Sequence, residues 1–206
     1  MKLEEYYEDA LPTLIRGKQY LTDMLEEYPV RKTVDGIQPV LYTRSRIKTP
    51  ESLILKLQKK GYPTDYHTGL EKVHDIIGAR VICSFVEEVY QVTKWIESRK
   101  DVQIIERKDY IAYPKPNGYR SYHMIVEIPV FFSKGKTPVR AEIQIRTIGM
   151  DFWASLEHQL RYKKNLDKIE GYETISDELQ KCSRNITETD NHMQAIKDMI
   201  GDFYDI

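Results

Sequence analysis

The segment from Glu142 to Arg146 alternates polar and apolar side chains, and this pattern constrains the fold more than any other in the sequence. Successive side chains of a β-strand point to opposite faces of the sheet, so the isoleucines share one face and the polar residues share the other. The apolar pair is Ile143 and Ile145, and the polar set is Glu142, Gln144 and Arg146. The pattern therefore predicts a sheet with one covered face, whose other face meets either water or a polar site.

Hydrophobic periodicity extends this sheet and places helices around it. Leucines at helical spacing predict a first helix over about the first 28 residues, which we expect Pro29 to end. Thr49 as the N-cap and Pro50 at the first helical position predict a second helix up to Lys60. The other expected elements are strands over 79–85, 102–105, 119–132 and 139–145, helices over 86–96 and 150–162, and a loop over 108–118. This order predicts a mixed α/β (α+β) domain with the sheet in the middle.

Apolar residues near the end of the chain recur in alternating steps of four and three, which is typical of a heptad seam on a helix. The nine positions are Ile175, Leu179, Cys182, Ile186, Thr189, Met193, Ile196, Ile200 and Phe203. Such a stripe is ~42 Å long, more than the flank of one small domain covers. We therefore expect a homo-oligomer joined partly through its terminal helices. Packing of the stripe against the first helix is the alternative.

Composition excludes several classes of protein. The net charge of −1 at pH 7 gives no global field for nucleic acid or a membrane, so any anion site must be a local cluster of Lys and Arg. Acidic side chains from Glu4 to Asp9 interrupt any signal peptide, and no stretch is suited to span a bilayer, so we expect a cytosolic protein. Cys83 and Cys182 lie far apart without a CxxC pair, which predicts free buried thiols.

Basic side chains gather around the predicted start of the second helix. Arg44, Arg46 and Lys48 precede it, and Lys56, Lys59 and Lys60 lie within or just beyond it. Free N–H groups and the helix dipole favour phosphate at such a helix end. A solvated basic surface is the alternative.

Two carboxylates are candidates for a metal site. Asp75 precedes a predicted strand, and Glu142 lies on the polar face of another. If the two lie across from each other, they can hold Mg²⁺, which prefers a couple of carboxylates together with substrate phosphates and water. A turn or cap explains Asp75 equally simply, and solvent exposure explains the alternation around Glu142.

The loop before the strand at 119 mixes cations with aromatic residues and turns at a glycine. Tyr119 is able to stack on a purine base while Lys108 and Lys115 meet phosphates, since every base offers a face to an aromatic ring. A tyrosine packed at the start of a strand is the alternative.

Five ordered motifs resemble the synthetase domain of the RelA/SpoT family. They are Arg46-x-Lys48-x-x-x-Ser52, His74-Asp75-Ile76-Ile77-Gly78-Ala79-Arg80, Asn117-Gly118-Tyr119-Arg120-Ser121-Tyr122-His123, Glu142-Ile143-Gln144-Ile145-Arg146-Thr147 and Phe152-Trp153-Ala154-Ser155-Leu156-Glu157-His158. The flanking helices are similar to those of the small alarmone synthetases. The resemblance implies a nucleotidyltransferase-superfamily fold, a mixed β-sheet flanked by helices with long N- and C-terminal helices. It divides the chain into a helical segment (1–40), a (p)ppGpp synthetase domain (41–165) and a C-terminal oligomerisation helix (166–206), and it favours a tetramer.

The resemblance also implies an activity and roles for single residues. The activity is transfer of pyrophosphate from ATP to the ribose 3′-hydroxyl of GDP or GTP, with release of AMP. Asp75 and Glu142 would bind Mg²⁺, and Glu142 is the candidate for accepting the hydroxyl proton. The donor set would be Arg46 and Arg80 around adenine, with Lys48, Ser52, Lys56 and Lys59 on the phosphates. The acceptor set would be Tyr119 stacked on guanine beside Lys115 and Gln144, with Lys108, Lys115 and His123 on phosphates or ribose.

Two positions depart from relatives: Lys59 stands where some have Arg, and Asp151 where others have Asn. Asp151 is still able to accept a hydrogen bond from guanine N–H groups. The expected partners are ATP and GDP or GTP, with no membrane and no stable nucleic-acid partner. Because only about 45 residues precede Arg46, we expect synthesis without the family's hydrolase activity. The alternatives are a toxin that pyrophosphorylates the tRNA 3′ end and a catalytically silent nucleotide- or RNA-binding regulator.

Overall fold

The computed structural model describes residues 1–32, 38–133, 135–164 and 171–204. Its helices are α1 (Leu3–Tyr7), α2 (Leu11–Lys32), α3 (Pro50–Lys59), α4 (Tyr66–Lys72), α5 (Val86–Glu97), α6 (Ile148–Lys164) and α7 (Tyr172–Tyr204), with a 3₁₀ turn at Glu8–Ala10. Its strands are β1 (Val40–Ile47), β2 (Ile77–Cys83), β3 (Gln103–Asp109), β4 (Tyr122–Phe132) and β5 (Gly135–Thr147). The expected mixed α+β fold class, with long first and last helices, is confirmed.

The strands form one mixed sheet in the order β1-β2-β5-β4-β3. Among the described strands, β2 and β5 pair in parallel, and the other three pairs are antiparallel. This register aligns one residue from each strand in a polar row across the sheet. The row consists of Arg44, Arg80, Gln144, His123 and Lys108. The next row places Gly78 between Arg46 and Glu142.

The opposite face of the sheet carries the core. Ile143 and Ile145 are fully buried there, as the alternation predicts. Helices α2 and α5 cover this face. Gly17 lets α2 approach the sheet, because a Cβ at that position would lie 2.8 Å from Cδ1 of Ile77. Helix α6 lies against β5 and β2 and borders the polar face.

Several expectations need correction. Pro29 does not end the first helix, since α2 continues to Lys32. A proline costs a helix one N–H donor, and the packing of α2 on the sheet, through residues such as Leu25 and Tyr28, outweighs that local cost. Cys182 is exposed, and only Cys83 is buried. The expected link over 165–171, with the domain boundary at 165/166, lies outside the described residues except for Gly171.

The strand boundaries also differ from those that the periodicity predicts. The sequence patterns do not predict β1 or α4, and the predicted bounds end β3 too early and begin β4 too soon. In the described part of the chain, β1 is an edge strand that pairs with β2 alone, and the face that it turns toward the core includes Thr43 and Ser45. An edge strand with small polar residues on its covered side gives little hydrophobic alternation.

Helix α7 packs on α6 and α5, so the expected alternative of packing against the first helix is wrong. Its attached side combines polar residues such as Ser183 with Ile186, which lies against Gly149 of α6, whereas Met193, Ile196 and Ile200 are about half exposed. The side chain of Phe203 lies outside the described part of the chain. Within the described ranges, none of the helices has the length and apolar content that a bilayer crossing requires.

Candidate active site

A cavity of about 660 Å³ opens over the polar rows between β1, β2, β5 and α6. Six of the residues expected in the site line it: Arg46, Asp75, Arg80, Tyr119, Glu142 and Gln144. Gly78 lies on its floor, and a Cβ there would meet no heavy atom within 4 Å. The missing side chain therefore leaves open the space between Arg46 and Glu142.

Asp75 is held by two lysines from neighbouring elements. Nζ of Lys48 lies 2.8 Å from Oδ2, and Nζ of Lys56 lies 3.0 Å from Oδ1. Burial, the strongest influence, acts to raise the pKa of Asp75, but these two ammonium groups hold it below its ordinary value. Asp75 is therefore a carboxylate in a local cluster of positive charge.

The placement of Lys48 follows from the end of β1. Its backbone N–H donates to the carbonyl of Ile76 over 2.7 Å, and its carbonyl accepts from the hydroxyl of Tyr7, also over 2.7 Å. Thr49 then caps α3, with Pro50 at the first helical position, as predicted. Arg44 and Arg46 lie on β1, and Lys48 lies between the end of β1 and the cap of α3.

Glu142 belongs to a closed ring of hydrogen bonds. Its Oε1 lies 3.1 Å from Nδ1 of His123, and its Oε2 accepts from Nε2 of Gln144 over 2.8 Å. Arg146 donates to Oε1 of Gln144 over 2.7 Å and to the hydroxyl of Tyr119 over 2.5 Å. That hydroxyl lies 2.8 Å from Nε2 of His123 and completes the ring.

Donor and acceptor rules fix the direction of these bonds. A carboxylate only accepts, so Nδ1 of His123 carries the proton that faces Glu142. Burial lowers the pKa of His123, which favours the neutral ring, so Nε2 accepts from the hydroxyl of Tyr119. Burial acts to raise the pKa of Glu142, yet the bonds from His123 and Gln144 bring it below its ordinary value. Each group in the ring is thus satisfied and held in one orientation.

The two carboxylates line the same cavity, and their negative charges repel each other, which acts to raise the pKa of Glu142. A divalent cation between them would relieve this repulsion, and two carboxylates with room for phosphate and water suit Mg²⁺. Within the described ranges no group of three or more His, Cys, Asp or Glu side chains is arranged for a metal. The residues present therefore fit a site that needs the substrate to complete its ligands.

Arg46 and Arg80 lie on one face of adjacent strands as diagonal neighbours, since Arg46 is directly opposite Gly78. Diagonal neighbours in a sheet stand about 7–8 Å apart, which is about twice the distance at which two stacked planar groups are in contact. A planar base fits between two such guanidinium groups.

The loop over 110–121 brings a cation onto two aromatic rings. Nζ of Lys115 lies 4.6 Å from the ring centre of Tyr110 and 4.8 Å from that of Tyr119. Burial lowers the pKa of Lys115. Tyr119 is half-buried, and its hydroxyl is held by His123 and Arg146 in the ring of hydrogen bonds around Glu142.

Other expected site residues lie outside the cavity wall. Ser52 and Lys59 are exposed on α3, and Lys108 pairs with Glu106 over 3.0 Å. Asp151 lies between two guanidinium groups, 2.9 Å from Arg80 and 3.1 Å from Arg146. The predicted roles of these residues stay predictions, and Oδ1 of Asp151 accepts from both guanidinium groups.

Arg146 is the functional residue that the sequence reasoning left without a role. It is buried and contacts Ser121, Gln144, Tyr119 and Asp151. The alternation that places Arg146 on the same strand face as Glu142 and Gln144 is the sequence signal for its position in the site. Its partners lie on separate elements, so they can be identified only once the register of the strands is known.

The cavity brings cations, an aromatic ring and two carboxylates together on one face of the sheet, and phosphoryl-transfer enzymes use groups of these kinds to hold their substrates. The family described as "Region found in RelA / SpoT proteins" matches residues 45–167. The chain belongs to the RelA/SpoT family.

Relatives and solved structures agree with this assignment. GTP pyrophosphokinase YwaC of Bacillus subtilis (strain 168) is 44% identical over 164 residues, which are 80% of this chain and 77% of that protein. The crystal structure of small alarmone synthetase 2 from Bacillus subtilis matches with a TM-score of 0.83 and 38% identity, covering 94% of this chain and 98% of that one. Small alarmone synthetase 1 from the same organism, bound to its product pppGpp, matches with a TM-score of 0.83 and 30% identity over 95% and 98% of the two chains.

Proposed function

We propose that this chain is a GTP pyrophosphokinase, which transfers the β,γ-pyrophosphate of ATP to the ribose 3′-hydroxyl of GDP or GTP. The products are ppGpp or pppGpp and AMP. The observation that carries the proposal is that Asp75 and Glu142 line one cavity between two groups of side chains. The donor half consists of arginines and lysines around Asp75, and the acceptor half consists of Tyr119 and Lys115 beside Glu142.

The donor half takes ATP. Arg46 and Arg80 hold adenine between their guanidinium planes. Lys48 and Lys56, already gathered around Asp75, meet the phosphates, and Ser52 and Lys59 extend this set along α3. Asp75 holds both ammonium groups through ion pairs, so the fold itself positions these cations.

The acceptor half takes the guanine nucleotide. Tyr119 stacks on the base, and Gln144 and Asp151 are the polar groups assigned to its edge. Lys108, Lys115 and His123 are assigned to the ribose or phosphates. The ring of hydrogen bonds from Tyr119 through His123 to Glu142 links base binding to the position of the carboxylate.

The reaction is an in-line displacement. The acceptor 3′-oxygen attacks the β-phosphorus of ATP, the bond between that phosphorus and the oxygen bridging to the α-phosphorus breaks, and AMP leaves. Glu142 accepts the hydroxyl proton, and His123 and Gln144 hold its two oxygens in place. Asp75 and Glu142 would hold Mg²⁺, which neutralises charge on the phosphates.

A labelling experiment tests the acceptor. The protein is incubated with Mg²⁺, ATP labelled in the γ-phosphate, and GDP, GTP or tRNA in separate reactions. Transfer of label to GDP or GTP, with none to tRNA, is the expected result. Label in tRNA alone would replace the proposal with the tRNA-directed activity, and label in no acceptor would leave a silent binding protein.

Three further points belong to the proposal. The chain makes alarmone without hydrolysing it, so ppGpp added with Mn²⁺ should persist; steady loss would refute this. ATP and GTP are cytosolic nucleotides, which is the reason for proposing a cytosolic location. The exposed apolar side chains of α7 support a homo-oligomer, for which a tetramer is proposed.

A further inference from the structure

The loop over 110–121 rests on the first part of α7. Nε2 of Gln180 donates to the carbonyl of Pro116 over 2.6 Å, and Oγ of Ser183 donates to the carbonyl of Gly118 over 2.5 Å. Both bonds connect positions more than 60 residues apart in the sequence. The C-terminal helix therefore reaches the backbone on either side of Asn117.

These contacts hold a tight turn. The N–H of Gly118 donates to the carbonyl of Lys115 over 2.8 Å, and the N–H of Lys115 donates to the carbonyl of Tyr119 over 3.2 Å. Pro116 follows Lys115 and Gly118 closes the turn, which suits the backbone of a type I turn. The turn therefore fixes Lys115 and Tyr119 relative to each other, and α7 binds two of its carbonyls, those of Pro116 and Gly118.

Gly118 allows the close approach. Its φ is +89°, and a Cβ there would lie 2.9 Å from Cβ of Ser183 and 3.4 Å from Cα of Gln180. Ser183 is buried beneath the turn. Helix α6 anchors the same region, since Nε1 of Trp153 donates to the carbonyl of Leu179 over 2.9 Å. The turn therefore packs closely against α7, and α6 holds α7 in place at the same point.

We propose that Gln180 and Ser183 are positioning residues for the guanine-nucleotide acceptor, acting through the turn that carries Lys115 and Tyr119. The inference rests on the proposed function, because that function makes Tyr119 and Lys115 the acceptor contacts. Neither residue lines the cavity, so their effect is on the orientation of the loop. The donor half, built from β1, α3 and β2, has no part in these bonds.

The test compares matched substitutions on one helix. Gln180→Ala and Ser183→Ala each remove one bond to the turn. Gln194→Ala is the control, because Oε1 of Gln194 accepts from the N–H of Glu87 over 3.1 Å and ties α7 to α5 instead. Thr189→Ala removes a hydroxyl that bonds only within α7 and is a control for Ser183→Ala.

Initial rates with GDP and with ATP varied in turn give the two KM values. We expect the acceptor KM to rise roughly 5-fold for each lost bond, with the ATP KM unchanged. Both control variants should keep both values. An unchanged acceptor KM in Gln180→Ala and Ser183→Ala, or an equal rise in the ATP KM or in the controls, would overturn the proposal.

Hydrogen exchange separates this inference from the function itself. Peptides covering 110–121 should exchange faster in Gln180→Ala and Ser183→Ala than in the wild type and the controls, since the turn loses its support. This readout needs no turnover. A wild-type protein that makes no alarmone would disprove the proposed function, but the contact between α7 and the turn would still be measurable. Equal exchange in all five proteins would disprove the positioning role.

Discussion

The buried ammonium of Lys48 lies 2.8 Å from the carboxylate of Asp75. The pair joins the end of β1 to the start of β2, and Lys56 adds a second cation from α3. Because the charges are held by separate elements, the fold gathers two cations around one carboxylate. Asp75 is therefore a structural residue, as well as one to which the proposed function assigns a role.

Loss of either carboxylate should stop the reaction. Glu142→Gln and Asp75→Asn remove a charge with little change in volume, so we expect activity to fall by more than about 100-fold. Circular dichroism should show a retained fold for both variants. Full activity in either variant, measured as alarmone formed per minute, would disprove the metal assignment.

Asp75→Asn should also lower stability in a pH-dependent way. It leaves the buried Lys48 without a charged partner, at a cost of roughly 1–3 kcal/mol at neutral pH. Since the pKa of Asp75 is lowered in the fold, its stabilising effect is present above its ordinary pKa of 3.8 and is lost as pH falls through the lower, folded-state pKa. Urea unfolding of both proteins from pH 7 to pH 3 should show the difference shrinking. A constant difference would contradict the ion pair.

Tyr119 should act on the acceptor alone. Tyr119→Ala removes a stacking surface, so the acceptor side should weaken by ~1–3 kcal/mol while the ATP KM stays nearly unchanged. Tyr119→Phe keeps the ring and loses only the hydroxyl that contacts His123 and Arg146. The Phe variant should therefore keep most acceptor affinity. A raised ATP KM in the Ala variant would place Tyr119 on the donor side.

Two glycines should respond in opposite ways to a larger side chain. Gly78→Val adds atoms to an open cavity floor, so it should leave thermal stability nearly unchanged and block activity. Gly17→Val forces a Cβ against Ile77 and should cost about 1–3 kcal/mol by overpacking. Thermal unfolding and alarmone synthesis measured on both variants check this. An active Gly78→Val enzyme would mean that substrates do not occupy this floor.

The homo-oligomer remains a prediction that light scattering can check. Met193 and Ile200 are about half exposed on α7, so their replacement by Asp leaves the packing of the chain intact. The wild type should have the mass of an oligomer, and the double variant a smaller mass. A monomeric mass for the wild type would end the oligomer prediction.

The sequence predicts which face of the sheet a residue lies on better than it predicts which residues of other elements lie beside it. The alternation from Glu142 to Arg146 gives the buried and polar sides correctly, because a two-residue period is a local property. The row that joins Arg80 to Gln144 depends on strand order and register, which no local pattern contains. The pairing of Lys48 with Asp75 is missed for the same reason.

Helix α7 shows the limit of hydrophobic periodicity. Its apolar stripe predicts a packed seam, yet the helix is attached largely through polar residues such as Gln180, Ser183 and Asp190. Side-chain bonds to backbone carbonyls leave no periodic hydrophobic signal. The contact of α7 with the 110–121 loop is therefore visible only in the structure.

The most direct test of the central claim is the stoichiometry of the products. The protein is incubated with Mg²⁺, ATP and GDP or GTP, and the nucleotides are resolved by anion exchange, with Glu142→Gln as the control. We expect one AMP for each ppGpp or pppGpp formed, and neither product from the variant. Release of ADP in place of AMP, or the absence of both AMP and a guanosine tetra- or pentaphosphate, would disprove the proposed pyrophosphate transfer.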